Sequence, residues 1–274
     1  MKFLLLRIVV VALFILTGGE AAEAWGQGTA AARELGSRTA KAGFRNEDEI
    51  AAKFRDWRSD AEAQGWLAVM GYDRDTVTGL TVSKPHGEKA DIMVAVTTRK
   101  GSSLHGISIK LVSNATGFNQ IDKRWLGQYA RRWRMPDDIA AALRKFTGED
   151  PPSERSRDPH RMFLNEFSSE MQQRIVEFFS GRKQAIVSDL IKGEGDLDAD
   201  WLLVAVKSAG RPRWRLVSAA EAIRFFSEGP VVITRSGNLK IGRVSMQRKG
   251  GDGGRETANM LQFKINPALL LEVK

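Results

Sequence analysis

The chain has 274 residues, of which 42% are hydrophobic, so it is long enough to bury one large core or two small ones. Its 42 Lys and Arg residues against 33 Asp and Glu residues give a net charge of +9, which favours a polyanionic partner, either nucleic acid or an anionic membrane surface. The chain has no cysteine, no His-x-Glu-x-x-His pattern and no Walker loop, which excludes thiol catalysis and disulfides and argues against a zincin or a P-loop ATPase.

The first 24 residues have the layout of a secretory signal peptide. Lys2 and Arg7 precede an apolar run from Ile8 to Leu16, and the small residues Ala22 and Ala24 mark a predicted cleavage site. The run is short for a spanning helix, so a membrane anchor is the second interpretation, and a translation start assigned too far upstream is the third. Residues 25–33 are a predicted linker, and residues 34–274 a predicted single domain without stable membrane association.

The predicted elements of this domain mix helices with strands. The first half gives a helix over Asn46–Trp57 with Asn46 as its N-cap, strands over Val77–Val82, Asp91–Thr97 and Ile107–Val112, a loop at 117–120 and mainly helix over Lys123–Lys145. A Pro-bearing loop over 147–161 and a helix over Phe163–Phe179 follow, while 181–195 fits either a helix or a strand. The remainder gives a hairpin over 200–219, a helix over Ala219–Phe226 and strands over Val231–Thr234, Lys240–Gln247 and Met260–Ile265. This order predicts an α/β fold with a β-rich C-terminal part.

Two of the predicted strands carry polar side chains that can meet. Asp91 begins the strand "DIMVAV" and points away from its aliphatic side chains, and Ser108 and Lys110 share the polar face of "ISIKLV". If these strands are neighbours in a sheet, Asp91, Ser108 and Lys110 converge. The competing interpretation is a solvated turn aspartate and an edge-strand lysine that prevents aggregation.

Phosphodiester hydrolysis requires groups of this kind. A carboxylate holds a divalent ion, and a nearby lysine orients or deprotonates the attacking water. This is the logic of the PD-(D/E)XK nuclease site, with Ser108 where an acid is usual. Because a hydroxyl is a weaker ligand for Mg²⁺ than a carboxylate, a second acid is required, and Glu47 in the first turn of the early helix is the candidate. The predicted metal ligands are therefore Asp91 and Glu47.

Two segments have the composition of a DNA-reading surface. "NATGFNQIDKRW" combines an aromatic residue that could enter between base steps with amides and cations, namely Phe118, Asn114, Asn119, Gln120, Lys123 and Arg124. "QRKGGDGGRETANMLQFK" carries further DNA-binding candidates among paired glycines: Arg248, Lys249 and Arg255 for guanine, Asp252 for cytosine, and Gln247. Packing of Phe118 under its own loop and a hairpin turn with incidental charges are the competing interpretations.

Long stretches of this sequence closely resemble the HinP-type restriction endonucleases, which cut within GCGC. The resemblance runs from about Glu34 to Pro267 and includes "KLVSNATGFNQIDKRWLGQY" and "RVSMQRKGGDGGRETANMLQFKINP". It implies a PD-(D/E)XK fold with a mixed sheet flanked by helices, Mg²⁺-dependent cleavage of double-stranded DNA at GCGC, and 5′-phosphate products. The family's catalytic aspartate and lysine fall on Asp91 and Lys110, and the family's glutamine falls on Ser108.

The resemblance also implies the biological setting. A restriction enzyme acts in the cytoplasm beside a DNA methyltransferase that is its genetic, not physical, partner, whereas a genuine signal peptide would make this protein secreted or periplasmic. The sequence leaves the oligomeric state open, with a homodimer as one option. Two other functions compete, namely an exported non-specific DNase of the same fold and a non-catalytic, basic DNA-binding protein.

Overall fold

The computed structural model describes residues 41–112, 116–207, 212–251 and 254–272. The predicted leader, residues 1–24, and the predicted linker, residues 25–33, lie outside these ranges. No helix in the described ranges is long and apolar enough to cross a membrane.

Sheet 1 is a five-stranded mixed sheet that carries Asp91, Ser108 and Lys110. Its strands are β1 (Val77–Ser83), β2 (Ile92–Thr98), β3 (Gly101–Val112), β5 (Trp201–Val206) and β6 (Arg213–Ser218), in the spatial order β1-β2-β3-β5-β6. β3 and β5 are parallel, and the other neighbours are antiparallel. A parallel pair requires a long crossover, and here the chain from β3 to β5 supplies it.

Sheet 2 is a five-stranded antiparallel sheet built mainly from the C-terminal part. Its strands are β4 (Asn119–Arg124), β7 (Val231–Ile233), β8 (Leu239–Ile241), β9 (Val244–Arg248) and β10 (Leu261–Ile265), in the spatial order β4-β10-β9-β8-β7. Alternation gives the sheet an apolar face in the core, with Val244, Met246, Leu261 and Phe263. The opposite face carries polar side chains, including those of Gln247, Gln262 and Lys264.

Helices cover the sheets. They are α1 (described from 41 to 55), α2 (Ala61–Val69), α3 (Leu126–Arg132), α4 (Asp137–Thr147), α5 (Ser169–Gly181), α6 (Lys183–Ile191) and α7 (Ala219–Ser227). α1 and α2 pack their buried aromatic and aliphatic side chains against sheet 1, and the larger core cluster joins α3 to α7 with both sheets. The prediction of an α/β fold with a mixed sheet flanked by helices is confirmed.

Four sequence-based assignments are wrong in detail. The first helix does not start at Asn46: α1 already extends from residue 41, so the buried Asn46 is not an N-cap and Glu47 does not lie in a first turn. Residues 119–124 form strand β4, not loop and helix, because β10 supplies its hydrogen-bonding partner. The predicted strand over 240–247 is two strands with Gly242 at their turn, where φ is +57° and a side chain would meet the Phe226 carbonyl. The helix predicted from Phe163 begins at Ser169, where the Ser168 hydroxyl caps it.

Candidate active site

Asp91 lies at the entrance of β2, where β2 pairs with β3. Its backbone N–H donates to the Ile107 carbonyl at 2.9 Å, which holds it against β3. Its Oδ2 accepts from the Ile109 N–H at 2.5 Å, from the Ser108 hydroxyl at 3.3 Å and from Lys110 Nζ at 3.5 Å. The structure therefore brings Asp91, Ser108 and Lys110 together, and strand pairing is the cause.

Lys110 is held in place by its own strand. Its Nζ donates to the Ile109 carbonyl at 3.0 Å in addition to the contact with Asp91. The Lys110 side chain is 16% exposed and the Asp91 side chain 26% exposed, so both reach solvent through one opening. Ser108 is 3% exposed and lies behind them.

Glu47 approaches the same site from α1. Burial raises the pKa of its carboxyl above the ordinary value, and the negative charge of Asp91 raises this pKa further. Lys84 opposes the shift through an ion pair of 3.3 Å between its Nζ and Glu47 Oε2. Since only nearby charges shift a pKa in this way, Glu47 and Asp91 share one electrostatic neighbourhood.

The residues of the site fit a hard divalent cation. Two carboxylates that repel each other, as Asp91 and Glu47 do, gain from a cation placed between them, and carboxylate oxygen is the ligand type that Mg²⁺ prefers. In the described parts of the chain, no group of three or more His, Cys, Asp or Glu side chains is arranged to bind a metal. Any metal here would rely on these two carboxylates, with the remaining positions left to substrate and water.

The site opens into a cleft of about 670 Å³ that is lined by charged side chains. Asp91, Ser108 and Lys110 form one part of its wall, and β4 forms another. Its lining holds five cationic side chains, namely Lys89, Lys110, Lys123, Arg124 and Arg132, and four acidic ones, namely Glu88, Asp91, Asp122 and Glu194. Four of these cations form ion pairs with acidic side chains of the same cleft, and the exposed Lys123 is placed to meet a phosphate beside Asp91 and Lys110.

Lys89 is a cleft residue that the sequence analysis missed. Its Nζ donates to the Ile121 carbonyl at 2.8 Å and to the Leu190 carbonyl, and it lies 3.7 Å from Asp122. Burial lowers its pKa to about 8. These contacts tie the segment before Asp91 to β4 and α6. The periodicity of the sequence could not predict these contacts of Lys89, because the partners lie 32 and 101 residues away along the chain.

The predicted DNA-reading loop divides into exposed and internally bonded residues. Phe118 is 51% exposed, and Lys240 Nζ lies 5.0 Å from the centre of its ring, so Phe118 does not pack under its loop. Lys123 is exposed at the cleft. Asn119 donates to the Leu111 carbonyl at 2.8 Å, which fastens β4 to β3, and Asn114 lies outside the described residues.

The second predicted segment is placed differently from the expectation. Arg248 projects from the face of β9 opposite to Gln247, and its guanidinium donates to the Thr147 carbonyl at 2.9 Å and to Asn259 Oδ1 at 2.7 Å. It links β9 to the end of α4 and does not join the polar face of sheet 2. Lys249 continues β9 through a backbone bond to Met260, Arg255 is exposed, and Asp252 lies outside the described ranges.

Comparison with known proteins gives a family. A sequence model described as R.HinP1I restriction endonuclease matches residues 70–271, which is well over half of the 274 residues. The chain belongs to the R.HinP1I restriction endonuclease family. The match begins after Glu47, so it covers Asp91, Ser108 and Lys110 but not the candidate second carboxylate.

A solved structure has the same fold as this R.HinP1I family member. It is the crystal structure of the restriction endonuclease MspI in complex with its cognate DNA, with a TM-score of 0.61 over 90% of this chain and 97% of that chain. The two sequences are 14% identical, so the likeness concerns the fold. No curated protein matches the chain.

Ser108→Ala is expected to leave this R.HinP1I family member active, with a loss below about tenfold. The Ile109 N–H holds the same Asp91 oxygen at 2.5 Å, against 3.3 Å for the Ser108 hydroxyl, so Asp91 keeps its orientation without the hydroxyl. Single-turnover cleavage measures the effect. Ser102→Ala is the matched control, since Ser102 lies on β3 and bonds Thr97 away from the cleft. A loss above about a hundredfold would show that Ser108 contributes directly to catalysis.

The pKa of Glu47 is expected to report the proximity of Asp91. Asp91→Asn should lower this pKa because it removes a negative charge that raises it, and Lys84→Gln should raise it because it removes a positive charge that lowers it. Carboxyl ¹³C shifts recorded against pH in metal-free protein give the pKa directly. Lys53→Gln is the control, since Lys53 pairs with Asp60 and Glu62. An unchanged pKa in Asp91→Asn would place Glu47 outside the site.

Proposed function

We propose that this protein is a type II restriction endonuclease that uses Mg²⁺ to cleave double-stranded DNA at GCGC and leaves 5′-phosphates. The observation that carries the proposal is the contact between Asp91 and Lys110 on the wall of a cleft, with Glu47 electrostatically linked to both, in a member of a restriction endonuclease family. The net charge of +9 on the chain fits a DNA partner, and the two carboxylates with a lysine fit phosphodiester hydrolysis.

Asp91 and Glu47 would hold the metal ion. Mg²⁺ bound there would supply positive charge to the phosphoryl oxygens as negative charge develops on them. The Ile109 N–H and the Ser108 hydroxyl fix the Asp91 carboxylate, so this carboxylate is oriented before the substrate arrives.

Lys110 would place the attacking water. Two of the three N–H groups of its ammonium have partners among the described residues, the Asp91 carboxylate and the Ile109 carbonyl. The third remains for a water or for a phosphoryl oxygen of the scissile group. Lys110 would thus hold the water in line with the phosphorus and stabilise the charge that forms on the departing oxygens.

The polar face of sheet 2 and the Phe118 loop would read the DNA. Gln120 and Lys123 lie in the cleft beside the catalytic residues, and the exposed Phe118 ring is free to enter between base steps. The assignment of GCGC as the target rests on the resemblance of these segments to the HinP-type enzymes. The bonds of Arg248 to Thr147 and Asn259 make it a support for this face, so the amides and Lys123 are the better candidates for base contacts.

This function also fixes the proposed setting. Such an enzyme acts in the cytoplasm, and a methyltransferase that modifies the same sequence protects the host DNA. A two-fold symmetric target such as GCGC is matched by a symmetric dimer, so a homodimer on DNA is the proposed active form.

Cleavage of paired duplexes tests the proposal. One duplex contains a single GCGC and the other has the same composition in scrambled order, and both are incubated with Mg²⁺ or with a chelator. Cleavage of only the GCGC duplex supports the proposed specificity, and cleavage with Mg²⁺ but not with the chelator supports the metal dependence. Product ends that ligate without prior phosphorylation support the 5′-phosphate products. Equal cleavage of both duplexes would replace the proposal with a non-specific DNase, and binding without any cleavage would leave a DNA-binding protein.

A further inference from the structure

Three glutamine amides form a continuous hydrogen-bonded row across the polar face of sheet 2. Gln262 in β10 stands between Gln120 in β4 and Gln247 in β9. Its Nε2 donates to Gln120 Oε1 at 2.5 Å, and its Oε1 accepts from Gln247 Nε2 at 3.4 Å. Gln262 is 6% exposed, whereas Gln120 is exposed and Gln247 is half-buried.

The register of the strands builds this row. Gln262 lies directly opposite Gln247 in the β9–β10 pairing and opposite Lys123 in the β4–β10 pairing. Gln120 would face the other side of β4 from Lys123 in a regular strand, since the two positions differ by three, an odd number. A bulge at Ile121 corrects this, because β10 passes from Phe263 to Lys264 while β4 passes from Asp122 to Gln120. Gln120 and Lys123 therefore both reach the polar face and the cleft.

The row has a direction, and the direction fixes what the outer amides present. A glutamine amide has one end that donates and one end that accepts. Because Gln262 donates to Gln120, the Gln120 oxygen points inward and its NH₂ group points toward solvent. Because Gln262 accepts from Gln247, the Gln247 NH₂ group points inward and its oxygen points outward. Turning one outer amide over on its own would bring two donors or two acceptors together beside the buried Gln262 side chain, which is costly, so Gln120 and Gln247 present opposite polarities that change only together.

We propose that Gln262 is a specificity-determining positioning residue that fixes the hydrogen-bonding polarity of Gln120 and Gln247 toward DNA. The inference rests on the proposed function, since it concerns how that same site reads its target. Gln262 does not itself touch DNA. It makes Gln120 a donor at the cleft and Gln247 an acceptor one strand beyond Gln262.

This polarity matches a G·C pair. In the major groove guanine offers only acceptors, O6 and N7, whereas cytosine offers the N4 amino group as a donor. The outward NH₂ group of Gln120 suits guanine, and the outward oxygen of Gln247 suits cytosine. A glutamine that is free to rotate would accept either edge and would distinguish these bases poorly. Gln262 would therefore contribute to discrimination between bases and contribute little to the chemical step.

Two substitutions of Gln262 test the proposal through the ratio of kcat/KM at GCGC to kcat/KM at single-base variants of GCGC. Gln262→Leu keeps a similar volume and removes both hydrogen bonds, so it should lower this ratio at least about tenfold while the rate at the best site stays within about tenfold. Gln262→Glu can only accept when ionised, so Gln120 must turn its NH₂ group inward and its oxygen outward. The base preference of Gln262→Glu should then resemble that of Gln120→Glu, which also presents an acceptor at position 120. It should differ from that of Gln247→Leu, which removes the amide at the other end of the row.

The control is Gln173→Leu, which removes a glutamine from the exposed face of α5, where it bonds Glu177. Thermal unfolding of each variant confirms that it folds, and Gln262→Glu serves if Gln262→Leu does not. Ratios within about twofold of wild type for Gln262→Leu and Gln262→Glu would overturn the inference, as would a Gln262→Glu profile that follows Gln247→Leu. A wild-type protein that fails to distinguish GCGC from its variants would overturn the proposed function, and the inference with it.

Discussion

Asp91→Asn is expected to lower the rate of DNA cleavage at least about 1,000-fold while DNA affinity changes only a few-fold. Asparagine has nearly the same shape and can still accept the Ile109 N–H and the Ser108 hydroxyl through its one oxygen. Asparagine lacks the negative charge of Asp91, which raises the pKa of Glu47 and which a divalent cation requires in its ligand. Binding should survive, because the cationic lining of the cleft is unchanged and DNA affinity depends mainly on phosphate contacts.

Single-turnover cleavage and a fluorescence binding assay, the latter run in Ca²⁺ to prevent cleavage, separate these two effects. Asp60→Asn is the matched control, since it makes the same change of charge at the N-cap of α2, where asparagine caps equally well. Cleavage by Asp91→Asn at a rate near that of wild type would move the catalytic centre elsewhere in the chain. Loss of cleavage and binding together, with an intact fold, would give Asp91 a role in holding DNA instead.

Lys110→Met is expected to lower the cleavage rate by roughly 100- to 10,000-fold, the range for loss of a positioned proton-transfer or water-orienting group. Methionine retains most of the aliphatic stem that packs beside Ile109, so the fold should tolerate the change. The lost ammonium is the group that contacts both the Asp91 carboxylate and the Ile109 carbonyl. The defect should lie in the chemical step, and raising the Mg²⁺ concentration should not correct it.

Quench-flow measurement of one turnover, at several Mg²⁺ concentrations, isolates that step. Lys53→Met is the control because it also removes one lysine charge, from an ion pair with Asp60 and Glu62 on the helical side of sheet 1. If Lys110→Met cleaves within about tenfold of wild type, Lys110 is a structural partner of Asp91 and another group handles the water.

The convergence of Asp91, Ser108 and Lys110 could be predicted from the sequence because it depends on local rules. Alternation within two strands assigns Asp91, Ser108 and Lys110 to one face, and adjacency of consecutive strands then brings them together. The mixed sheet with flanking helices follows from the same patterns and from the family resemblance. Glu47 could be named because an acid in a first helical turn was the remaining candidate carboxylate, and its electrostatic link to Asp91 appears only in the folded chain.

The remaining features depend on contacts between distant segments. β4 was assigned to loop and helix because its strand character comes from pairing with β10, more than 130 residues later. Lys89 and Gln262 were missed for a similar reason, since each acts through partners that no local pattern identifies. The hydrogen bonds of Arg248 to Thr147 and Asn259 were also missed, because they join β9 to distant segments, and a contact of Arg248 with DNA stays a prediction.

Mapping the ends that the purified protein makes in a fully sequenced plasmid, in Mg²⁺, tests the central claim most directly. The claim is that Asp91, Lys110 and Glu47 cut DNA at a site that the polar face of sheet 2 reads. Discrete ends at every GCGC and at no other sequence, absent in Asp91→Asn, are the predicted result. A smear without preferred ends would contradict it. So would a plasmid that stays intact although the protein binds it in the presence of Mg²⁺.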